Sequence, residues 1–391
     1  MDVEYSDNNA DIDGTANTSI NRSIITPIDP TVNDANDITP PGSSWYPRVL
    51  VIGPGGVKGL KVLGFLSPIE DSGLLDYVDT YCGVSIGAII ALLIIAGYQI
   101  REIVGEAATL DIFKEIGVLN FQSSLDNRGL MSNEPIRKRL SQLIINKFGN
   151  IPTLHGLYMR TGKSYVAVTL NATDEECVMM GPFTHPNVSC VDATMFSMNI
   201  PFVFYQLVYH GKTYVDGALA NPYPVDFFDD GNTNILGIYM KTIHPKNIQP
   251  TASSRPGTII QHIENTVAPL SIGAYSLKIV HSLMDQRRNN IIQHSSSRCR
   301  HICLETKTTD TMGSNVNIEE RAHMLVEGFN DGKKFLSQLI TDTYIGPKIP
   351  AKLSYVYPVY YMMGDSDGTV DIIDDAVGTS ENSSILAAMT N

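Results

Sequence analysis

A single serine lies between two glycines in the segment Gly83-Val84-Ser85-Ile86-Gly87, which follows a strand-like run and begins a very apolar one. A G-x-S-x-G pentapeptide is typical of a sharp strand-to-helix turn, in which the serine adopts a strained backbone conformation and the glycines give it room. The hydroxyl then lies at the N-terminus of the next helix, where the helix dipole favours developing negative charge. The pattern predicts a nucleophile at Ser85, with a plain glycine-rich turn as the alternative.

A second glycine-rich stretch, Pro54 to Gly59, also follows a strand-like run and opens a helical pattern. It departs from the dinucleotide-binding fingerprint because proline stands where the first glycine is needed. It departs from a Walker loop because Lys58 is followed by glycine rather than by serine or threonine. Two interpretations remain open, a tight turn between strand and helix or a set of backbone N–H groups that bind an oxyanion.

A serine nucleophile needs a base, and no histidine of this chain lies in a motif that marks it as one. His185 is expected in a loop, and His281 and His323 are expected to be ordinary helix residues. The strongest candidate is Asp216 in the segment VDGALAN, just after a strand-like run. A desolvated carboxylate that is hydrogen-bonded to the serine can serve as the base. The alternative is a turn or helix-capping aspartate, which is the usual role of Asp-Gly.

Taken together and in this order, PGGVKG (54–59), GVSIG (83–87) and DGA (216–218) resemble the motifs of the patatin-like phospholipases. The resemblance extends to the segments 129–140, 192–226 and 317–336, so that it covers about 48–340. It implies an α/β fold, namely a three-layer α/β/α patatin-like sandwich around a central, mostly parallel sheet. It also implies a lipid acyl hydrolase, a serine esterase of phospholipase A type.

In such an enzyme a Ser–Asp dyad replaces the usual triad. The resemblance implies that Ser85 attacks the acyl carbonyl. It also implies that Asp216 deprotonates the Ser85 hydroxyl and later activates water. It assigns the oxyanion hole to Gly55, Gly56 and Val57, with Lys58 adding positive character nearby, and the motif glycines to Gly59, Gly83, Gly87 and Gly217. It requires no metal and no cofactor. One departure is Pro54, where the family usually has glycine, because proline has no N–H to donate to an oxyanion.

The apolar pattern supports the α/β prediction, because strand-like runs alternate with helical ones along the chain. Strands are predicted at 48–52, 78–82, 163–173, 213–216, 234–241 and 301–307, and helices at about 60–72, 86–96, 136–149, 257–293 and 317–340. We expect three regions: an acidic, disordered tail over 1–46, an acyl hydrolase domain over 47–345, and a C-terminal extension over 346–391 that ends in an acidic tail.

The net charge of −13 belongs to the chain ends. Residues 1–46 hold eight acidic side chains and one basic side chain, and residues 364–391 hold six acidic side chains and no base, so the rest is formally neutral. This distribution argues against a nucleic-acid partner, which would need a basic patch. The acidic N-terminus is unlike a signal peptide, and the run 86–96 is too short to span a bilayer, so we expect an intracellular, cytoplasmic protein.

The predicted partners are a phospholipid or other acyl lipid and, peripherally, the membrane that holds it. Two other function classes stay open: a non-catalytic lipid-binding or assembly protein that keeps the fold, and a conventional Ser–His–Asp hydrolase. No metal site is predicted. Cys299 and Cys303 lack a second ligand pair, and the acidic segment 365–374 lacks two ligand positions of a calcium loop.

Overall fold

The computed structural model of the 391-residue chain describes residues 45–109, 129–243, 272–307 and 316–343. Its strands are β1 (Val49–Ile52), β2 (Thr80–Val84), β3 (Gly129–Met131), β4 (Ser164–Asn171), β5 (Glu176–Met180), β6 (Phe202–Phe204), β7 (Leu207–Tyr209), β8 (Lys212–Asp216), β9 (Ile235–Thr242) and β10 (Cys299–Thr306). Its α-helices are α1 (Gly59–Asp71), α2 (Ile86–Ile95), α3 (Ile100–Thr109), α4 (Glu134–Phe148), α5 (Leu154–Thr161), α6 (Cys190–Ser197), α7 (Ile272–His294) and α8 (Ile318–Thr343).

The central sheet has the strand order β10-β9-β1-β2-β4-β8-β7, and β5 pairs with β4 beside this path. The five strands from β10 to β4 are parallel to one another, whereas β5, β7 and β8 pair in the antiparallel direction. The four residues of β1, Val-Leu-Val-Ile, are all buried, as expected for a central strand covered on both faces. The predicted central, mostly parallel sheet is therefore confirmed.

Alternate residues of the central strands face two separate cores. Leu50 and Ile52 belong to a large core that also contains side chains of α1, α2, α4, α6 and α8. Val49 and Val51 belong to a smaller core on the opposite face, which is covered by Ile291 of α7 and by the short helical turns after Asp216. Helical segments on both faces of one sheet make the three-layer α/β/α arrangement that the sequence predicts.

The alternation of strand and helix is confirmed, with bounds that differ by a few residues, but several short elements are missed. Strands β3, β5, β6 and β7 and helices α3, α5 and α6 have no counterpart among the predicted elements. They are eight to ten residues or shorter, too short for a hydrophobic period to stand out. The first part of the predicted helix over 257–293 and the acidic segment 365–374 lie outside the described residues.

The described part of the chain begins with two aromatic residues that already contact the fold. The indole N–H of Trp45 donates to the carbonyl of Arg298 at 3.1 Å, and the ring of Tyr46 stacks on Tyr77 with centroids 4.3 Å apart. Among the described helices, none combines the length and the apolar character needed to cross a bilayer.

Candidate active site

Ser85 lies at the junction between β2 and α2 in a strained backbone conformation. Its φ of 58° and ψ of −123° are rare for a residue with a side chain, and the residue is buried, with 7% of its surface exposed. Its flanking glycines are required by sterics. A Cβ at Gly83 would lie 2.3 Å from the Cα of Ala88, and one at Gly87 would lie 2.2 Å from the carbonyl oxygen of Ile52. The turn thus has the geometry that the G-x-S-x-G pattern predicts.

Asp216 is the last residue of β8 and is buried, with 5% of its surface exposed. Its Oδ1 accepts the N–H of Ala218 at 2.8 Å. Burial raises the pKa of this carboxyl to about 6, while the hydrogen bonds from the Ala218 N–H and from the Ser85 side chain lower it. The Ser85 side chain is therefore close enough to Asp216 to interact with its carboxyl, which at this pKa is mostly ionised at neutral pH.

Sheet register explains how residues 131 positions apart come together. β2 pairs with β4 so that Val84 is opposite Val168, and β4 pairs with β8 so that Thr169 is opposite Asp216. Ser85 and Asp216 therefore lie on either side of Thr169, at the same height across the sheet. The close approach of β8 to β4 also requires Gly217, since a Cβ there would lie 2.1 Å from the carbonyl oxygen of Val168.

The glycine-rich segment follows β1, which is the strand next to β2. Gly56 has a φ of 58°, and Gly56 to Lys58 form one turn of 3-10 helix that continues into α1. The first N–H groups of a helical segment have no partner within it, so those of Gly56 and Val57 are available to an oxyanion. Both residues line the cavity next to Ser85, whereas the N–H of Lys58 donates back to the carbonyl of Gly55.

The side chain of Lys58 was expected from the sequence to add positive character near the oxyanion hole, but it bonds to another part of the fold. It is buried, and its Nζ donates to Thr242 Oγ1 at 2.7 Å, at the end of β9. Lys58 is also not among the described residues that line the cavity at Ser85. Any charge that it contributes to an oxyanion acts through space rather than by direct contact.

A cavity of about 150 Å³ opens next to Ser85, between the helices that cover one face of the sheet. Its wall is mostly apolar, and its lining includes Leu60, Ile89, Leu93, Leu140, Met198 and Phe204. Because a helix rises 1.5 Å per residue, Leu93 lies about 12 Å along α2 from Ser85. Such a cavity can hold an extended hydrocarbon chain whose carbonyl carbon lies at Ser85.

Three charged residues belong to the same cavity. They are Glu106 of α3, Arg139 of α4 and Arg321 of α8. Arg139 donates to Glu106 Oε2 from both Nε, at 3.1 Å, and Nη2. Arg321 donates from Nε to the carbonyl of Val316 at 3.2 Å. The polar groups of this cavity therefore have protein partners, and the remaining wall is suited to an apolar ligand.

The candidate base is a carboxylate with no histidine beside it among the residues that the structure describes. The influences on the Asp216 pKa are burial, Ala218 and Ser85, with no histidine among them. His185 is half-buried, and burial lowers its pKa. His301 Nδ1 lies 2.9 Å from the Tyr223 hydroxyl, in the smaller core's part of the sheet. Within the described ranges, no group of three or more His, Cys, Asp or Glu side chains is placed to hold a metal ion.

Sequence reasoning missed two residues that contact the dyad. Ser197 Oγ accepts the backbone N–H of Ser85 at 3.0 Å, and the carbonyl of Asn199 accepts the N–H of Asp216 at 2.9 Å. Both residues are fully buried within the otherwise apolar run Met195 to Phe204. Two polar residues spaced two apart in such a run were the available signal, since buried polar groups need a partner.

Comparisons with known proteins report similarity over the same region. Residues 50–229 match the family model described as patatin-like phospholipase. The chain is 28% identical over 185 residues to "Probable lipid hydrolase 463L" of Invertebrate iridescent virus 6, which covers 46% of this chain and 63% of that protein. It is 23% identical over 301 residues to "Uncharacterized protein R571" of Acanthamoeba polyphaga mimivirus, which covers 74% of this chain and 94% of that protein.

Solved structures also show similarity. VipD from Legionella pneumophila matches with a TM-score of 0.46 and 16% identity, over 77% of this chain and 67% of that chain. The present chain thus spans less than two thirds of the iridescent virus relative and about two thirds of VipD.

Proposed function

Because this chain belongs to the patatin-like phospholipase family through residues 50–229, we propose that it is a lipid acyl hydrolase of phospholipase A type. It cleaves acyl esters through a covalent intermediate on Ser85, with Asp216 as the base. The observation that carries this proposal is that the buried, strained Ser85 lies beside the buried carboxyl of Asp216, at the edge of an apolar cavity. The name of the iridescent virus relative, a lipid hydrolase, supports the same reaction class.

In the first half of the reaction Asp216 takes the proton of the Ser85 hydroxyl while Oγ bonds to the ester carbonyl carbon. The carbonyl oxygen becomes an oxyanion, which the N–H groups of the segment Gly55 to Val57 stabilise together with the N-terminus of α2. The intermediate then collapses and the bond to the alcohol oxygen breaks. Asp216 returns the proton to that oxygen, so the alcohol leaves neutral and the acyl group stays on Ser85.

In the second half Asp216 takes a proton from water, and the resulting hydroxide bonds to the acyl carbon. The bond to Ser85 Oγ breaks, Oγ recovers the proton from Asp216, and the fatty acid is released. A base with a pKa of about 6 suits both halves, because it is ionised at neutral pH and yet strong enough to accept a proton in the transition state. The proposed substrate is a phospholipid or related acyl lipid, reached by peripheral contact with a membrane.

The proposal is tested by ester hydrolysis with purified wild type, Ser85→Ala and Asp216→Asn proteins, using p-nitrophenyl octanoate and then mixed phospholipid vesicles. We expect Ser85→Ala to fall to background and Asp216→Asn to lose about 10²–10⁴-fold in kcat, since general base catalysis is worth that much. Fatty acid released from vesicles identifies the lipid class. Wild-type turnover in folded Ser85→Ala would exclude the mechanism, and an inactive wild type would favour a lipid-binding role.

A further inference from the structure

A single short segment, Ser197 to Ile200, contacts both members of the dyad. We call it the support segment. Its first residue accepts the Ser85 N–H through Oγ at 3.0 Å, and its third accepts the Asp216 N–H through its carbonyl at 2.9 Å. Ser85 and Asp216 come from different strands, so their relative position depends on the residues that bond to both of them. The support segment is bonded to the main chain of both, so it connects them outside the sheet.

The hydrogen bond to Ser197 supports the strained backbone of Ser85. The φ of 58° at Ser85 persists only where the surroundings over-determine the backbone. Ser197 is fully buried and supplies an acceptor to an N–H at the start of α2, where no helical partner is available. Without this oxygen the Ser85 N–H would be buried and unsatisfied, so the turn would be free to relax towards an ordinary backbone conformation.

The hydrogen bonds of Asn199 support Asp216, the other member of the dyad. β7 pairs with β8 only as far as Tyr214, so none of the described strands lies beside the outer edge of Asp216. Asn199 fills the edge: its carbonyl accepts the Asp216 N–H, and its Nδ2 donates to the Tyr214 carbonyl at 3.0 Å. Its own Oδ1 accepts from Asn133 Nδ2 at 3.3 Å, where α4 begins. A buried chain of amides thereby fixes the end of β8 that presents the carboxylate.

The other two residues of the support segment point to the substrate side. Met198 and Ile200 both line the apolar cavity next to Ser85. Residues of one short segment therefore alternate between the dyad and the cavity wall. An acyl chain that fills the cavity presses on the same backbone that positions Ser85 and Asp216.

We propose that Ser197 and Asn199 are positioning residues for the dyad, and that the fit of the acyl chain against Met198 and Ile200 sets kcat through them. This inference rests on the proposed acyl hydrolase function. It assigns acyl-chain specificity partly to the rate of the chemical step, rather than to binding alone. An acyl chain of matching length then raises kcat, whereas a simple binding pocket would lower KM only.

The first experiment compares Asn199→Ala with Asn171→Ala. Asn171 is a matched control, because it is an equally buried asparagine of the neighbouring strand β4 whose amide bonds to Asp174. With p-nitrophenyl octanoate we expect kcat to fall about 100-fold in Asn199→Ala with KM nearly unchanged, since misplacement by about 1 Å costs that much. We expect the acid limb of its pH profile to move below that of wild type, because a loosened Asp216 is better solvated. Asn171→Ala should keep wild-type kcat and pH profile.

The second experiment removes a single oxygen and is therefore gentler on the fold. Ser197→Ala should lose at least tenfold in kcat, and Ser197→Thr, which keeps the hydroxyl acceptor, should recover most of that loss. Circular dichroism and thermal melting establish the folded fraction of each variant. If Asn199→Ala does not fold, the pair at Ser197 decides the question.

The third experiment tests the coupling to the acyl chain. Kinetics on p-nitrophenyl esters from butyrate to dodecanoate are compared between Met198→Ala and Met195→Ala. Met195 is a buried methionine of the same stretch that does not line the cavity. We expect the ratio of kcat for the best ester to kcat for the butyrate ester to fall at least fivefold in Met198→Ala. The same ratio should stay at the wild-type value in Met195→Ala.

The outcomes separate this inference from the function on which it rests. If wild type hydrolyses no ester and its Ser85 reacts with no fluorophosphonate, the proposed function fails. If wild type is active but folded Asn199→Ala and Ser197→Ala keep wild-type kcat and pH profiles, the positioning role is overturned. A change confined to KM in Met198→Ala overturns the coupling.

Discussion

The Asp216 carboxylate accepts the N–H of Ala218 at 2.8 Å, two residues along the chain, and this bond orients the carboxyl at the end of β8. The bond also lowers the pKa of Asp216, as the hydrogen bond from Ser85 does, but burial outweighs both and leaves the pKa at about 6. The same burial that makes Asp216 a useful base therefore makes its ionised form costly for the fold. Two predictions follow from this balance, one for activity and one for stability.

The activity of wild type should depend on the ionisation of Asp216. Because the base must be unprotonated, kcat/KM should be level above pH 7 and should fall about tenfold per pH unit below about pH 6. A pH profile with a soluble ester substrate measures this limb. A profile that stays level down to pH 4.5 would mean that the base is an ordinary exposed carboxyl or another group.

Asp216→Asn should stabilise the fold at pH 8. The folded chain holds the Asp216 proton up to about pH 6, whereas the unfolded chain releases it near 3.8. Stability therefore falls as pH rises through this interval and stays lower above it. At 1.36 kcal/mol per pH unit, the interval is worth at most about 3 kcal/mol. Melting temperatures should rise in Asp216→Asn relative to wild type at pH 8 and coincide at pH 3.5, and equal melting temperatures at pH 8 would contradict the buried, ionised carboxylate.

Leu93→Phe should shorten the acyl chains that the enzyme accepts. Leu93 lines the cavity about two turns of α2 beyond Ser85, so a larger side chain there blocks the far end and spares the site of chemistry. We expect kcat/KM for p-nitrophenyl dodecanoate to fall at least tenfold while butyrate changes little. Ile94→Phe is the control, because Ile94 is the adjacent residue of α2 and does not line the cavity. An equal loss for both esters in Leu93→Phe would place the acyl chain elsewhere.

Gly87→Ala should damage the site through the backbone. A Cβ at Gly87 would lie 2.2 Å from the carbonyl oxygen of Ile52, and a main-chain atom cannot rotate away. We expect the free energy of unfolding to fall by about 1–3 kcal/mol, as in overpacked cores, together with loss of activity. Gly105→Ala in α3 is the control, since a Cβ there meets nothing within 4 Å and should gain about 0.5–1 kcal/mol. Urea unfolding of both variants gives the comparison, and an undisturbed Gly87→Ala would contradict the close contact of α2 with β1.

The sequence alone was sufficient to predict those features of this molecule that depend on local chemistry. The turn at Ser85 needs glycines on both sides, and that need is visible as a five-residue pattern. The parallel strands are buried on both faces, so they appear as continuous apolar runs such as that of β1.

Features that depend on contacts between residues far apart in the chain could not be predicted from the sequence. The antiparallel direction of β8 relative to β4 is set by pairing across 40 or more residues, which no local period records. The contact of Ser197 with Ser85 spans 112 residues. Lys58 belongs to the predicted oxyanion segment, yet the direction of its side chain depends on Thr242 of β9. Tertiary contacts of this kind decide what a residue does within a predicted site.

The central claim is that Ser85 carries the acyl group. The most direct measurement is mass spectrometry of the intact protein after brief exposure to a fluorophosphonate, followed by peptide mapping of the adduct. We predict one adduct per chain, located on Ser85, at least tenfold slower labelling in Asp216→Asn, and none in Ser85→Ala. An unlabelled Ser85 in folded, ester-hydrolysing wild type, or an adduct on another residue, would contradict the account.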